Sequence, residues 1–505
     1  MVAIRRALRI FPPYRWAASW YRRNVTYGDY QRWIRATEAQ VAPFTGDRRP
    51  LISIVVPTYK YQARYLSELI DSVVAQSYDS WELCVVNACD GENDRNNISA
   101  AIKGDPRIRE ILLDRNLHIA GNTNAGIAAA NGEYIGLLDA DDTLAPFALA
   151  EVATRLQGEG PYPDVFYSDE DKLSDDGKNR TYPFFKPDIN EEMLLTSNYI
   201  SHFLVVNASL LKSLKIREGY NGAQDYDLVL RLYAQRAKFC HIPRVSYHWR
   251  LAEGSTAVAP GQKNYASEAG LKALRDYLKK SGIAANVKVM DGQDTAYEVS
   301  YVQDPEAKVL LIADESDQAE IARTTRYSNY SFGTDAKSAE SDIVVFIAKG
   351  CRPLREDWLN EIASKAKQPE VGLVGARVDM ADGNYCRGYM ADSLGEPRAL
   401  ISPVPEVKFG LDGLNTWPRT VLLPPTTVIA VRTKLTQLSG YDGLDSLADV
   451  AATKGLRNVF WPAAHLINTL YAAEDFAGFE KTTITFDPLA HPSLTVNNGR
   501  IMLHK

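Results

Sequence analysis

Residues 116–142 read NLHIAGNTNAGIAAANGEYIGLLDADD, and this order of patterns indicates the fold class. The alanine-rich stretch at 119–131 predicts a helix, and the apolar run at 134–138 predicts a buried strand that leads directly into aspartates. A helix followed by a buried strand is the repeating unit of an open, mostly parallel α/β sheet, whose ligand site forms at the carboxyl ends of its strands. The aspartates are therefore expected at a ligand site.

The same alternation continues on both sides of this stretch. On the N-terminal side the pattern predicts strands at 51–56, 81–86 and 108–113, a helix at 63–77 and a polar turn at 87–94. On the C-terminal side, a lysine-bearing helix at 264–281 precedes a connection near 291–295, and a second α/β stretch runs from 308 to about 473. The predicted fold class is α/β, with two mostly parallel sheets.

The composition is that of a globular protein, with 505 residues, 45% hydrophobic and 24% charged residues and a net charge of −6. These values exclude disordered, collagen-like and disulfide-scaffold classes, and the acidity argues against a nucleic-acid binder. No run of eighteen apolar residues, which a membrane-spanning helix would need, is present. The five cysteines have no metal-binding spacing and predict a reducing, cytoplasmic compartment.

The charge is unevenly distributed. Residues 1–35 hold eight arginines and one acid, a net charge of +7 that leaves −13 for the remaining 470 residues. Tryptophan and tyrosine alternate with these arginines, as in helices that anchor at an anionic membrane surface. The alternative is an arm that packs on the protein's own acidic body, and Pro12-Pro13 interrupts the helix that anchoring favours. Both interpretations stay open.

The aspartates after residue 138 suit a divalent ion. Asp139 and Asp141, two residues apart at a strand end, can direct hard oxygen ligands at one ion and leave its other positions to phosphates. A calcium loop starting at Asp139 is excluded, because Leu144 and Ala150 stand where glycine and glutamate are required. A solvated turn that caps a helix is the structural alternative.

Two further segments carry side chains suited to chemistry. Asp225 precedes a helical run at 229–232, where a carboxylate can serve as a general base or simply cap the helix. His248 and Arg250 end another strand. Histidine can bind a metal ion and arginine a phosphate, although both residue types are often structural.

The order of these segments resembles the family 2 glycosyltransferases, which are inverting enzymes with the GT-A fold. The matching strings between residues 50 and 258 are IVVPTY at 54–59, residues 116–142, YSDEDK at 167–172, GAQDYDLVLR at 222–231 and HIPRVSYHWR at 241–250. The third and fifth strings are similar to a branch that builds bacterial surface polysaccharides. The resemblance implies a GT-A catalytic domain at 49–290 behind an N-terminal helical arm at 1–48.

The resemblance also implies residue roles. Asp225 would be the catalytic base, and Asp139, Asp141 and His248 would hold a divalent cation, Mn²⁺ or Mg²⁺. The nucleotide-sugar donor would be bound by a larger set, namely Pro57, Thr58, Tyr59, Asn87, Asp90, Asn116, Asp139, Ala140, Asp141 and Arg250. The acceptor side would be formed by Asp142, Asn198, Tyr199, His202 and Gln224.

Two positions depart from the family pattern. The family usually carries an acid pair after its second strand, where this chain reads Asn87-Ala88-Cys89-Asp90. The contact with base and ribose therefore falls to Asn87, to Asp90 or to neither. His118 stands where glycine is common, which predicts a reshaped nucleotide pocket.

A fainter resemblance to the same family covers 296–480, before a C-terminal tail at 481–505. Its strand at 342–347 ends in Ala348-Lys349-Gly350 instead of aspartates, and Ala313 stands where the first domain has Pro57. The interval from Ala313 to Gly350 is 37 positions, against 84 from Pro57 to Asp141, so about one strand and one helix are expected to be missing. We therefore expect a degenerate, non-catalytic GT-A-like domain.

The function expected from this resemblance is metal-assisted, inverting sugar transfer. The donor would be a UDP-, dTDP- or GDP-linked sugar, and the acceptor a hydroxyl of a cell-surface glycan or polyprenyl-linked oligosaccharide, as in O-antigen synthesis. No nucleic-acid partner is expected, and the oligomeric state is open. The alternative is a non-catalytic glycan-binding or assembly subunit of a polysaccharide synthesis complex. A nucleotidyltransferase is disfavoured, because residues 57–60 offer no glycine for a phosphate loop.

Overall fold

The computed structural model describes residues 27–102, 104–252, 260–302, 304, 306–337, 339–391, 397–403, 417–421, 423–439, 444–471, 494–497 and 500–503. Residues 1–26, which hold most of the basic arm, and most of the predicted C-terminal tail lie outside this description. In the described part, no helix is both long and apolar enough to cross a membrane.

The first domain alternates strands and helices. In chain order its elements are α1 (Tyr27–Glu38), β1 (Ile52–Thr58), α2 (Ala63–Val74), β2 (Trp81–Asn87), α3 (Glu92–Ala101), β3 (Ile108–Leu112), α4 (His118–Ala129), β4 (Tyr134–Leu137), β5 (Thr143–Leu144), α5 (Ala148–Thr154), β6 (Val165–Leu173), β7 (Arg180–Phe184), α6 (Glu191–Thr196), β8 (Leu204–Asn207), α7 (Ala208–Leu214), a 3-10 turn (Glu218–Tyr220), α8 (Gln224–Ala234), β9 (Phe239–Arg250), α9 (Pro260–Lys280), β10 (Ala285–Val289) and β11 (Tyr297–Tyr301).

The second domain follows β11. Its elements are β12 (Val309–Ile312), α10 (Glu315–Thr324), β13 (Tyr330–Phe332), β14 (Ile343–Ile347), β15 (Cys351–Pro353), α11 (Trp358–Ala366), β16 (Val371–Met380), β17 (Asn384–Ala391), β18 (Pro397–Pro403), β19 (Arg419–Val421), β20 (Val428–Arg432), α12 (Thr433–Leu438), α13 (Leu444–Thr453), β21 (Arg457–Asn468), β22 (Leu494–Asn497) and β23 (Arg500–Leu503).

The first sheet has the order β3-β2-β1-β4-β8-β6-β9-β5, and β7 pairs with β6. Its N-terminal half, β3-β2-β1-β4, is entirely parallel, and β8 joins it in antiparallel orientation. Helix α4 packs closely on this half through Gly126, where a Cβ atom would lie 2.4 Å from a methyl carbon of Val55. The parallel strand ends therefore converge beside the loop that follows β4.

The second sheet repeats this order. Its strands run β13-β12-β14-β20-β16-β21-β15, which matches β2-β1-β4-β8-β6-β9-β5 strand for strand in both position and chain order. The predicted fold class is confirmed, with a GT-A domain and a second α/β body of related topology. Only residues 333–342 connect β13 to β14, so the counterparts of α3, β3 and α4 are missing. The missing part is one strand and two helices, one helix more than the spacing predicted.

Helix α3 is an element that the sequence pattern did not predict. Residues 87–94 were expected to form a polar turn, but a helix begins at Glu92. Only Ile98 of this helix is buried, so its ten residues carry almost no apolar periodicity. Glycine at its N-cap and acids in its first turn are the local signals that favour a helix there.

Helix α1, the described end of the basic arm, packs on the first domain. Tyr30 is fully buried and its hydroxyl donates to Asp171 Oδ2 over 2.6 Å, while Trp33 packs edge-on against Phe185. Arg180 joins α1 to β7 by an ion pair with Glu38 at 2.6 Å. Over residues 27–38, the arm therefore packs on the first domain, and its membrane contact stays a prediction.

Candidate active site

The acidic motif forms the loop after β4, between the two halves of the first sheet. The Asp139 side chain is 57% exposed, and His202 Nε2 lies 3.9 Å from its Oδ2. Desolvation by the surrounding protein raises the pKa of Asp139, the charges of Asp141 and Asp225 raise it further, and His202 opposes both effects. Asp141 is half-buried, and burial likewise raises its pKa. Ala140 lies between the two carboxylates. The motif is thus a compact cluster of negative charge beside a histidine.

Asp142 holds this loop in place and does not line its open side. Its carboxylate is buried, accepts the Tyr247 hydroxyl, and accepts the Arg250 backbone N–H at 2.7 Å. Burial and the neighbouring acids raise the pKa of Asp142 well above its ordinary value. The acceptor contact expected of Asp142 stays a prediction, and both of its oxygen atoms accept hydrogen bonds inside the protein.

Arg250 is also a buried part of this loop. Its Nε donates to the Asp141 carbonyl at 2.7 Å, and its other nitrogen atoms contact the Asp175 carbonyl at 3.1 Å and Glu68 Oε2 at 2.6 Å. The guanidinium therefore fixes the backbone of the acidic motif. Its expected contact with a diphosphate stays a prediction.

The histidine that the structure brings to the acidic motif is His202, not His248. His202 Nδ1 lies 3.3 Å from Glu170 Oε2, and its ring stacks on Tyr247 with centroids 4.4 Å apart. His248 follows Tyr247 in β9 and so points to the opposite face of the strand, where its Nδ1 lies 2.7 Å from Asp171 Oδ1. The metal role expected of His248 stays a prediction, and sequence reasoning gave His202 only an acceptor role.

Glu170 and Lys186 are buried charges behind His202 to which the sequence assigned no role. Lys186 Nζ lies 3.0 Å from Glu170 Oε2 and donates to the backbone carbonyls of Ile200 and His202. Burial alone would raise the pKa of Glu170, but Lys172, Lys186 and His202 outweigh it and hold that pKa well below its ordinary value. The acidic string at 167–172 was the one signal that could have located this cluster.

Asp225 lies in the first turn of α8. Asn198 Nδ2 donates to Asp225 Oδ2 at 2.8 Å, and the charge of Asp225 contributes to the raised pKa of Asp139. Asn198 Oδ1 is buried and has no hydrogen-bond partner in the described part of the chain. Asp139 and Asp225, 86 positions apart in sequence, therefore lie close enough for their charges to interact.

The other two predicted acceptor residues form hydrogen bonds within the protein. Tyr199 is buried; its hydroxyl donates to the Asp188 carbonyl at 3.0 Å and accepts the Asn190 N–H at 2.8 Å. Gln224 Oε1 accepts the backbone N–H of Gly222 at 2.8 Å. The acceptor contact predicted for Tyr199 stays a prediction, and its hydroxyl is occupied inside the protein. That of Gln224 stays a prediction.

The residues predicted to bind nucleotide divide into exposed and buried groups. The Tyr59 hydroxyl donates to Asp90 Oδ2 at 2.8 Å on the exposed side of the β1 and β2 strand ends. Asn87 is fully buried, and its amide donates to the Arg95 carbonyl and to Glu110 Oε1 at 2.7 Å. Of the two alternatives left open after β2, Asp90 is thus the accessible residue and Asn87 is not.

Three other residues of that group shape the same edge. Pro57 and Thr58 end β1, with Thr58 fully buried. Asn116 Oδ1 accepts the His118 N–H and the Asn122 side chain, both at 2.9 Å, and so fixes the start of α4. Their nucleotide contacts stay predictions.

Residues 53–215 match the family model described as glycosyl transferase family 2. This part of the chain belongs to glycosyltransferase family 2. The match covers the loops that carry Asp139, Asn198 and His202, and α8 with Asp225 follows it.

Curated relatives extend the similarity beyond this segment. The O-antigen biosynthesis protein RfbC of Myxococcus xanthus is 32% identical over 70% of this chain and 32% of its own length. The uncharacterized protein y4gI of Sinorhizobium fredii is 32% identical over 68% of this chain and 44% of its own length. The chain thus spans less than half of either relative. Among solved structures, the mannosyltransferase PcManGT of Pyrobaculum calidifontis, in complex with GDP-Man and Mn²⁺, is 18% identical, with a TM-score of 0.35 over 50% of this chain and 70% of that one.

The family 2 domain has two carboxylates suited to a divalent cation. The described residues hold no group of three His, Cys, Asp or Glu side chains arranged for an ion. Asp139 and Asp141 nevertheless supply hard oxygen atoms, and Asp139 is well exposed. Cations that act on phosphorylated substrates commonly use one or two protein carboxylates and complete their shell with phosphate oxygens and water. The two aspartates fit an ion of that kind.

The backbone conformation at residue 118 favours glycine, the residue that is common at this position in the family pattern. It opens α4 with φ at +59°, in the left-handed region that costs an L-residue about 1–2 kcal/mol. We expect His118→Gly to raise the free energy of unfolding by up to about 1 kcal/mol, because glycine adopts this conformation freely. Urea denaturation checks this, with His118→Ala as the control that keeps the strain. Equal stability of the Gly and Ala variants would contradict it.

The second domain lacks this chemistry at matching positions. In the first sheet, Tyr134 of β4 pairs with Asn207, the last residue before α7. In the second sheet, Ile343 of β14 pairs with Arg432, the last residue before α12. Tyr134 and Ile343 therefore occupy equivalent positions, and this equivalence aligns the two sheets. By this alignment Ala348 replaces Asp139 and Gly350 replaces Asp141. Between them, Lys349 forms an ion pair at 3.1 Å with Asp314, the counterpart of Pro57. The comparison of sequences had placed Ala313 at the position of Pro57, and the structure moves that correspondence by one residue to Asp314.

Proposed function

We propose that the chain is an inverting glycosyltransferase. It moves a sugar from a nucleotide-diphosphate donor to a hydroxyl of a cell-surface glycan or lipid-linked oligosaccharide, with Asp225 as general base. The observation that carries this proposal is that the charge of Asp225, which Asn198 binds, reaches the exposed Asp139, and that residues 53–215 match the family 2 model. The M. xanthus relative, named as an O-antigen biosynthesis protein, supports the class of acceptor.

The donor lies along the carboxyl ends of β1, β2 and β4 in this proposal. Tyr59 and Asp90 border the nucleotide, and Asp139 and Asp141 face its diphosphate. Mn²⁺ or Mg²⁺ held by these two carboxylates would offset the charge that develops on the leaving diphosphate. The closed loop held by Asp142 and Arg250 keeps both carboxylates in place without reorganisation during the reaction.

The acceptor approaches from α8. Asp225 accepts the proton of the attacking hydroxyl, and Asn198 Nδ2 orients the carboxylate. One displacement with one base inverts the anomeric centre. A glycoside hydrolase would instead use two carboxyl groups about 5–10 Å apart as acid and as nucleophile or base.

A donor screen tests this proposal. The full chain is incubated with UDP-, dTDP- and GDP-linked sugars and Mn²⁺, with and without polyprenyl-diphosphate-linked saccharides, and release of nucleoside diphosphate is measured. We expect acceptor-dependent release with one donor class, and a product whose new linkage has the inverted anomeric configuration. Saccharide binding without turnover of any donor would instead favour the glycan-binding or assembly subunit.

A further inference from the structure

Helix α6 connects the second domain to the candidate base. Its C-terminal side touches α8 twice, through Asn198 Nδ2 to Asp225 Oδ2 at 2.8 Å and through the Tyr226 hydroxyl to the Leu194 carbonyl at 2.6 Å. Tyr226 is buried and follows Asp225 directly. The base therefore depends on the position of α6 for both of these contacts.

The N-terminal side of α6 is held by the second domain. Glu192 is fully buried; Lys365 Nζ of α11 lies 3.0 Å from its Oε1, and the Thr420 hydroxyl of β19 donates to its Oε2. Arg457 of β21 pairs with Glu191 and lies 3.6 Å from Glu192. These five residues form the interdomain ion cluster.

A further pair of hydrogen bonds fixes the same end of α6. Asn190 caps the helix by accepting the Met193 N–H, and it exchanges two hydrogen bonds with the Thr420 backbone, at 3.1 and 3.2 Å. The side chain of Asn190 therefore links the backbone of β19 to the first turn of α6. The helix start is tied to the second domain by both charge and backbone geometry.

The interdomain ion cluster carries a desolvation penalty, because its charges are buried between the two domains. Lys365 is 2% exposed and also contacts the Tyr301 hydroxyl at 3.3 Å, so its charge is removed from water. Buried ion pairs often contribute no more stability than apolar residues of similar size would, but their bonds are directional. An apolar interface would hold α6 as strongly while leaving its rotation and register less defined.

We propose that the second domain is a positioning domain for the base: Lys365, Thr420 and Arg457 hold α6, and α6 holds Asp225 through Asn198 and Tyr226. This inference rests on the proposed function, in which Asp225 takes the acceptor proton. It gives a role to a body that has lost the acidic motif. Lys365, Thr420 and Arg457 are positioning residues that contact neither substrate.

The test uses three variants of the full chain. Lys365→Met leaves Glu192 buried without its main partner and is expected to be destabilising as well. Glu192→Gln with Lys365→Met removes both charges and keeps the shapes, and Thr420→Val removes one hydrogen bond. The control is Lys367→Met, on the segment directly after α11, whose ammonium pairs with the exposed Asp304 and does not reach α6.

The variants are compared by hydrogen exchange and by kinetics. We expect the double variant to fold, to exchange faster over residues 191–199 and 224–230 than wild type, and to keep wild-type exchange in β1 and β4. Its kcat should fall about tenfold to a hundredfold, because small displacements of a catalytic group have effects of this size, while the donor KM changes less than twofold. Lys367→Met should match wild type in every measurement.

Two outcomes are distinguishable. A folded double variant with wild-type exchange over residues 191–199 and 224–230, or with wild-type kcat, overturns the positioning role. A wild-type chain that turns over no donor overturns the proposed function instead, and the exchange measurement then still decides whether the second domain holds the Asp225 segment.

Discussion

Asp225→Asn is expected to lower the rate of sugar transfer by about a hundredfold to ten-thousandfold, the range that a positioned general base contributes. Asparagine has nearly the same shape but cannot take the acceptor proton at neutral pH. Because Asp225 does not touch the diphosphate in this account, nucleotide binding should stay within about twofold of wild type. Acceptor-dependent release of nucleoside diphosphate measures the first effect, and calorimetry the second.

Asp227→Asn is the matched control for this substitution. Asp227 lies in the same first turn of α8, but it is buried and paired with Arg217 and Arg231. Its change should lower the thermal midpoint and leave turnover per folded molecule close to wild type. Transfer by Asp225→Asn at more than a tenth of the wild-type rate would remove the base role from this residue.

Asp141→Ala and Asp139→Ala are expected to lower transfer by about a hundredfold or more. Each removes one of the two carboxylates that would hold the ion, and the ion's interaction with the leaving diphosphate is worth several kcal/mol. Donor affinity should fall together with kcat, which distinguishes these variants from Asp225→Asn. Steady-state kinetics across a range of MnCl₂ concentrations measures both, and chelation of the wild type by EDTA should give the same loss.

Lys349→Ala is the matched control in the second domain. Lys349 occupies the position that corresponds to Ala140, between the residues that replace the two aspartates, and it forms an ion pair with Asp314. Its loss should leave transfer unchanged. Equal losses of transfer activity in Asp141→Ala and Lys349→Ala would mean that both domains act on the donor, which contradicts a single active domain.

The sheet of the first domain could be predicted from sequence because its strands are short, buried apolar runs. Strands β1, β2, β3 and β4 begin and end within two residues of the predicted bounds, since Pro57 and the polar residues after β2 and β4 punctuate the pattern. Helix α3 could not be predicted in the same way. It buries only Ile98, so tertiary contacts and capping rather than periodicity define it.

Residues of the candidate site could be predicted where their position in a short sequence motif identifies them. They could not be predicted where tertiary packing decides which side chains meet. Asp139, Asp141 and Asp225 stand at element ends, and the charge of Asp225 reaches Asp139 in the folded chain. The exchange of His202 for His248 depends on which face of β9 each ring meets, and the burial of Tyr199 and Asp142 depends on elements distant in sequence. A one-dimensional pattern carries no information on such contacts.

The most direct test of the central claim, that one of two related domains carries the active site, is the stoichiometry of nucleotide binding. The full chain is titrated with UDP, GDP and dTDP in the presence of MnCl₂ by calorimetry, and the titration is repeated with Asp141→Ala. We expect one manganese-dependent site per chain for one of the nucleotides, and we expect Asp141→Ala to abolish it. Two sites per chain, or one site that survives Asp141→Ala, would contradict it.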